Sequence, residues 1–191
     1  MKARLDLIAH GSTAATRAAR FPDDESLEAS AVGALEGLRG RLSPYGHVMI
    51  APSRAAHETA EALGLDAAIE TALRDCDYGR WRGLSAKAVA EREPDGFATW
   101  LGDPGAAPHG GESFSKLIER VRAWLAQSLT HDGATLAVTH ASVVRAAMAS
   151  ALGAPPSSVF RIDVAPLSLA RLSGREGRWN LVAFGPLRAL S

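Results

Sequence analysis

Two short apolar runs in this chain each end in a histidine, and that pairing limits the folds open to it. Arg4 to Ala9 alternates, turns apolar and leads into His10-Gly11-Ser12-Thr13; Thr135 to Thr139, bounded by Gly133, leads into His140-Ala141-Ser142. The first reads as a strand followed by a loop. The second is continuously apolar, as expected of a strand covered on both faces in a parallel sheet. If both strands share one sheet, both imidazoles emerge at its carboxyl edge, where open α/β sheets place their ligands.

The intervening segments supply the helices such a sheet requires. Leu27, Ala31, Ala34, Leu35 and Leu38 recur at helical spacing between Ser26 and about Gly40. His47 to Ala51 reads as a short strand. Pro52-Ser53 opens a helix to about Leu63, with Gly64 beyond its end. A short strand is predicted over Ala67 to Ala72. Residues 74–112 are irregular, with one modest helix near Ser85 to Arg92, and read as an insert that partly covers a site. Glu112-Ser113 starts a long amphipathic helix through Phe114, Leu117, Ile118, Val121, Trp124, Leu125 and Leu129. Ser142 to Leu152 is a further helix, ended by Gly153 and Pro155-Pro156. Three strands are expected last, Val159 to Val164, Ser168 to Ser173 and Trp179 to Phe184, the final two as a hairpin across Gly174 to Gly177. This order predicts one domain over residues 1–191: a three-layer α/β/α sandwich with a mostly parallel central sheet.

Composition removes several functions. The 191 residues carry 21 basic and 21 acidic side chains, interspersed, for a formal net charge of zero, which excludes a general nucleic-acid or polybasic membrane footprint. No window approaches 18 uncharged apolar residues, so no membrane span is expected. The single cysteine, Cys76, permits no disulfide and no CxxC pair; between Asp75 and Asp77 its thiol is expected to be structural rather than nucleophilic. The N-terminus lacks a long apolar segment and a cleavage site, so a cytoplasmic protein is expected. Of the 21 basic residues 18 are arginine, the side chain that grips phosphate in bidentate fashion. Biased composition accounts for most of them.

Two imidazoles and an acid at one sheet edge have a chemical use. A neutral histidine can attack phosphorus, a second, protonated, can stabilise the transferring phosphoryl group, and a carboxylic acid can protonate the leaving oxygen and later activate water. Asp75, just past a strand, is the candidate acid. The turn at Gly11 and the helix start at Ala141 offer backbone N–H groups to an anion. A metal site on His10, His140 and Asp75 matches no compact ligand spacing, and no metal or cofactor is expected.

In this arrangement the sequence resembles the histidine phosphatase superfamily, which includes the cofactor-dependent phosphoglycerate mutases. Leu7-Ile8-Ala9-His10-Gly11-Ser12-Thr13 is similar to L-I-R-H-G-E-T; Ala51 to Ala60 to S-P-x-x-R-A-x-x-T-A; Leu73 to Gly79 and Trp81 to Leu84 to L-x-E-x-x-F/Y-G and W-E-G-L; Gly110-Gly111-Glu112-Ser113 to G-G-E-S; and Val138 to Ala146 to V-x-H-G-G-V-I-R-A. The blocks fall in order along nearly the whole chain. The resemblance implies His10 as nucleophile, His140 as the second phosphate-pocket histidine and Asp75 as proton donor. Gly11, Ser12, Thr16, Arg17, Arg54 and Ala141 are the expected substrate contacts.

The chain departs from that pattern at three places. The family's donor is usually Glu, one methylene longer than Asp75. The two arginines of the family's phosphate pocket fall at Ala9 and Ala55. Arg17, Arg20, Arg54, Arg74 and Arg80 are the candidates to replace them. Two functional readings follow: a phosphatase acting on a small phosphorylated metabolite through phosphohistidine, or a phosphatase-like module that binds an anion or a protein with little catalysis. Compactness favours hydrolysis over mutase chemistry. Trp81 and Trp100 are expected either at the substrate mouth or in a homodimer contact.

Overall fold

The computed structural model describes residues 3–42, 44–129, 133–175 and 177–190. Six strands form one mixed sheet: β1 (Ala3–Ala9), β2 (His47–Ile50), β3 (Ala68–Ile69), β4 (Ala134–Thr139), β5 (Ser168–Arg175) and β6 (Arg178–Pro186), in the order β3-β2-β4-β1-β5-β6. The first four run parallel; β5 is antiparallel to β1, and β6 to β5. The expected sandwich with a mostly parallel sheet is what forms. The register of β1 on β4 pairs Leu7 with Ala137, Ile8 with Val138 and Ala9 with Thr139. His10 and His140 therefore leave the sheet side by side.

The helices are α1 (Ala14–Arg17), α2 (Ala29–Glu36), α3 (Arg54–Ala62), α4 (Ala86–Arg92), α5 (Pro94–Gly102), α6 (Phe114–Ser128), α7 (Ala141–Ala151) and α8 (Leu187–Leu190). Period-two alternation in β1 sorts the core. Leu5 and Leu7 pack with Leu117 and Val121 of α6 and Val143 and Val144 of α7. Ile8 faces the other way, with Leu35 of α2, Leu136, Leu169 and Leu187. Asp6 is fully buried within β1; its carboxylate accepts from Arg171 Nε and Nη2 at 2.9 and 3.0 Å and from the Tyr45 hydroxyl at 2.7 Å, so the buried charge is paired and hydrogen-bonded.

Four expectations change. Val159 to Val164 is not a strand: a 3₁₀ turn spans Pro156–Arg161, because Pro155-Pro156 starts a turn and Val159 alone is buried there. The strand expected over Ala67 to Ala72 shrinks to Ala68–Ile69, and Glu70 caps a 3₁₀ turn over Thr71–Leu73. The irregular segment contains a second helix, α5, begun by Pro94 at its first turn. Trp81 and Trp100 do not line a mouth. Trp81 is fully buried and joins Phe21, Phe97 and Trp100 at centroid separations of 5.4, 6.1 and 5.9 Å.

Two glycines close this segment on itself. A Cβ on Gly111 would stand 2.0 Å from the Asp77 carbonyl oxygen, and one on Gly79 2.2 Å from that of His109. Only glycine permits so close an approach. The Glu112 N–H then donates to the Asp77 carbonyl at 2.7 Å. No helix among the described residues is long and apolar enough to cross a membrane.

Candidate active site

The imidazoles of His10 and His140 meet edge to face, with ring centroids 5.0 Å apart and planes at 80°. His10 Nδ1 lies 2.8 Å from the Gly11 carbonyl oxygen. A carbonyl only accepts, so Nδ1 carries the proton and Nε2 is left with its lone pair. The turn behind it is fixed by Thr59, whose hydroxyl accepts from the Gly11 N–H at 3.1 Å and donates to the Ala55 carbonyl at 2.7 Å.

His140 begins α7 as its N-cap residue. It is 6% exposed and neither ring nitrogen has a hydrogen-bond partner among the described residues. Its Nδ1 stands 3.4 Å from Asp75 Oδ2 without a formed hydrogen bond, an ion pair only when the ring is protonated. Burial pulls the His140 pKa down to about 4; His10 acts in the same direction, and the carboxylates of Asp75 and Asp24 oppose it.

Asp75 is held from several sides. Its Oδ1 accepts from the Cys76 N–H at 2.8 Å and from the Ser142 hydroxyl. Its own carbonyl and those of Ala72 and Arg74 accept from the guanidinium of Arg120, which also grips Glu112 through Nε at 3.0 Å and Nη2 at 2.7 Å. The Thr139 hydroxyl donates to the Leu73 carbonyl at 2.7 Å, tying the same loop to the end of β4. Arg120, Glu112, Ser142 and Thr59 were not singled out as site residues in the sequence. Glu112 lies inside Gly110-Gly111-Glu112-Ser113, Thr59 inside the Ala51–Ala60 block and Ser142 inside the Val138–Ala146 block, so three of the four carried a motif signal; Arg120 carried none. Cys76 is buried and donates to the Glu112 carbonyl at 3.1 Å; burial and the carboxylates of Asp75 and Glu112 push its thiol pKa far up.

A cleft of about 350 Å³ opens over the two histidines, lined by His10, Thr13, Asp75 and His140 together with Pro22, Asp23, Asp24, Glu25, Pro52, Ser53, Ala55, Arg74, Cys76, Asp77 and Arg82. The structure thus gathers His10, His140 and Asp75 at one place. It does not bring the expected substrate contacts there. Arg17 pairs with Glu28 at 3.0 Å with its side chain 75% exposed. Arg54 reaches Ser26 Oγ at 3.3 Å. Thr16 spends its hydroxyl on the backbone of Thr13. The Gly11 N–H is committed to Thr59, and Gly11, Ser12 and Ala141 do not line the cleft. Arg20 is tied to Glu25 at 3.3 Å, and Arg80 to Glu93. Ala55 faces the cleft and Ala9 is buried directly before His10. The arginines that do line the cleft are each paired with a carboxylate, Arg74 with Glu112 at 3.3 Å and Arg82 with Asp77 at 2.8 Å.

Two imidazoles and a carboxyl group thus meet at the carboxyl edge of the sheet. The chain belongs to the histidine phosphatase superfamily (branch 1), whose model matches residues 5–186. It is 33% identical over 180 residues to the bifunctional protein Rv2228c of Mycobacterium tuberculosis, covering 87% of this chain and 50% of that protein. The chain spans about half the length of the first curated relatives it matches. It is 26% identical over 171 residues to the glucosyl-3-phosphoglycerate phosphatase of the same organism, covering 80% of this chain and 76% of that one. The structure of the mycobacterial glucosyl-3-phosphoglycerate phosphatase in complex with VO3 superposes with a TM-score of 0.83 at 26% identity, covering 96% of this chain and 98% of the other.

Proposed function

We propose that the protein hydrolyses a small phosphomonoester through a phosphohistidine on His10. The observation that carries this reading is the His10 tautomer: with Nδ1 donating to the Gly11 carbonyl at 2.8 Å, Nε2 is the free nucleophilic nitrogen beside His140. The His10 Nε2 lone pair forms the N–P bond as the ester P–O bond breaks, and the proton of the Asp75 carboxyl group passes to the departing alkoxide. The Asp75 carboxylate then takes a proton from water. The resulting hydroxide forms a P–O bond as the P–N bond breaks, releasing inorganic phosphate and restoring both residues. His140 faces the charge on the phosphoryl oxygens.

His140 carries the pH dependence. In the empty site it is neutral above about pH 4. A bound phosphoryl dianion favours its imidazolium, so binding takes up a proton and improves as pH falls from neutrality.

The test is phosphate release from an aryl phosphate between about pH 4 and pH 8, with His10→Ala alongside. Equal release by the two proteins refutes the reading. Asp75→Asn is expected to slow release and to leave an acid-labile phosphorylated protein that His10→Ala never forms. The second reading, a binding module with little catalysis, rests on the absence of an unpaired arginine among the described cleft residues. Vanadate binding without phosphate release would favour it. The substrate is taken to be a small molecule. The buried thiol of Cys76 suits a reducing, cytoplasmic setting.

A further inference from the structure

Five carboxylates line the cleft, from Asp23, Asp24, Glu25, Asp75 and Asp77, against two guanidinium groups. Most are already matched. Asp77 accepts from Arg82 at 2.8 Å and from the Gly79 N–H at 2.9 Å, and Glu25 from Arg20 at 3.3 Å and the Ala15 N–H at 2.9 Å. Asp75 is held by Ser142 and Cys76 beside His140. Two remain. Asp24 accepts only the Arg54 backbone N–H, at 2.7 Å, and Asp23 has no hydrogen bond or ion pair among the described residues. Both side chains are exposed on the loop before α2.

The other end of the cleft is marked independently. His140 is 6% exposed, and its Nε2 has no partner among the described residues. A buried polar atom left unpaired at a cleft is a place for a ligand acceptor, and there it suits a phosphoryl oxygen. Asp24 is near enough for its charge to act on the His140 ring. A phosphate dianion seated at His10 and His140 therefore lies in the field of two uncompensated carboxylates, and no free arginine among the described cleft residues balances it.

We propose that the substrate is a phosphomonoester whose alcohol half bears a cationic group, an ammonium, seated against Asp23 and Asp24. This rests on the phosphatase reading. The cation satisfies the two carboxylates and offsets the phosphate charge within the same molecule, so the ligand enters the cleft as a zwitterion. No group of three His, Cys, Asp or Glu among the described residues is arranged to hold a metal ion, which favours an organic cation over a divalent one.

The experiment compares kcat/KM of the full chain for phosphoethanolamine, for its uncharged isostere propyl phosphate and for the anionic phosphoglycolate, with EDTA present and at low ionic strength. Phosphoethanolamine is expected to exceed propyl phosphate by about fivefold or more, chiefly through KM, the scale of solvent-exposed charge pairs. The margin shrinks in high salt. Asp23→Asn with Asp24→Asn is expected to bring the ratio towards one and to improve phosphoglycolate. A wild-type ratio of one or less, a ratio the double substitution leaves intact, or activity that appears only when magnesium is restored overturns the proposal. Release from an aryl phosphate with none from these three esters overturns the substrate class and leaves the phosphatase standing. No release from the aryl phosphate overturns both.

Discussion

His140 should make the fold sensitive to acid in a way that a single substitution removes. Its ring is buried and unpartnered, and burial lowers its pKa from 6.5 to about 4. Unfolding returns the ring to water and to its ordinary value. Above pH 6.5 both states are neutral at this site and the stability it contributes is fully present. Between 6.5 and about 4 the unfolded chain binds a proton that the folded chain refuses, so stability is lost as pH falls, and the loss is complete below about 4. A shift of that size corresponds to about 3 kcal/mol, a large share of a typical folding free energy. Urea denaturation at about pH 7 and about pH 4.5, on wild type and His140→Gln, isolates the effect, because every other titrating group is common to both. Wild type is expected to lose about 2–3 kcal/mol more than the variant across that interval. Inorganic phosphate should return part of the loss in wild type only, since an anion between the rings stabilises the imidazolium. Equal acid sensitivity in the two proteins would refute the claim that His140 is buried in its neutral form.

Arg120→Ala removes the bidentate partner of Glu112 and frees the carbonyls of Ala72, Arg74 and Asp75; a loss of about 3 kcal/mol in denaturant stability is expected, as for a buried ion pair broken on one side, with kcat falling because Asp75 is no longer fixed. Gly111→Ala places a Cβ 2.0 Å from the Asp77 carbonyl oxygen, so a drop of about 1–3 kcal/mol should appear in thermal melts. Ala55→Arg sets a guanidinium on the cleft wall, and vanadate should bind about 10- to 100-fold tighter by isothermal titration, the range of one or two charge-assisted hydrogen bonds.

The sheet and the two histidines were legible because apolar period and strand-end position are local properties. The helices α3, α6 and α7 were read to within a residue or two, helped by Ser53 and Ser113 as caps and by Gly153 as a stop. The region around α5 was not. Its fold depends on Trp81, Phe97 and Trp100 packing on one another and on glycine contacts between residues 77–79 and 109–111, and such distant pairings leave no periodicity. The arginines misled for a related reason. Arg17, Arg20 and Arg54 lie close in sequence to the motif positions, but each meets a nearer partner in Glu28, Glu25 or Ser26. A long flexible side chain is placed by its partners, not by its position in the chain.

The short acid and the empty arginine positions are linked through Ser142. Asp75 Oδ1 accepts from both the Cys76 N–H and the Ser142 hydroxyl, which turns Oδ2 to His140 Nδ1 at 3.4 Å. With Oδ1 committed to two donors, Oδ2 is the oxygen left to carry a proton, and it lies on the histidine side of the carboxyl group. The missing methylene is thus met by anchoring the acid close to the imidazole pair rather than by extending it across the cleft. When ionised, Asp75 sets a carboxylate against His140, which raises the imidazole's affinity for a proton against the effect of burial. In a site without an unpaired arginine on its described walls, that imidazolium is the positive charge left to meet the phosphoryl group.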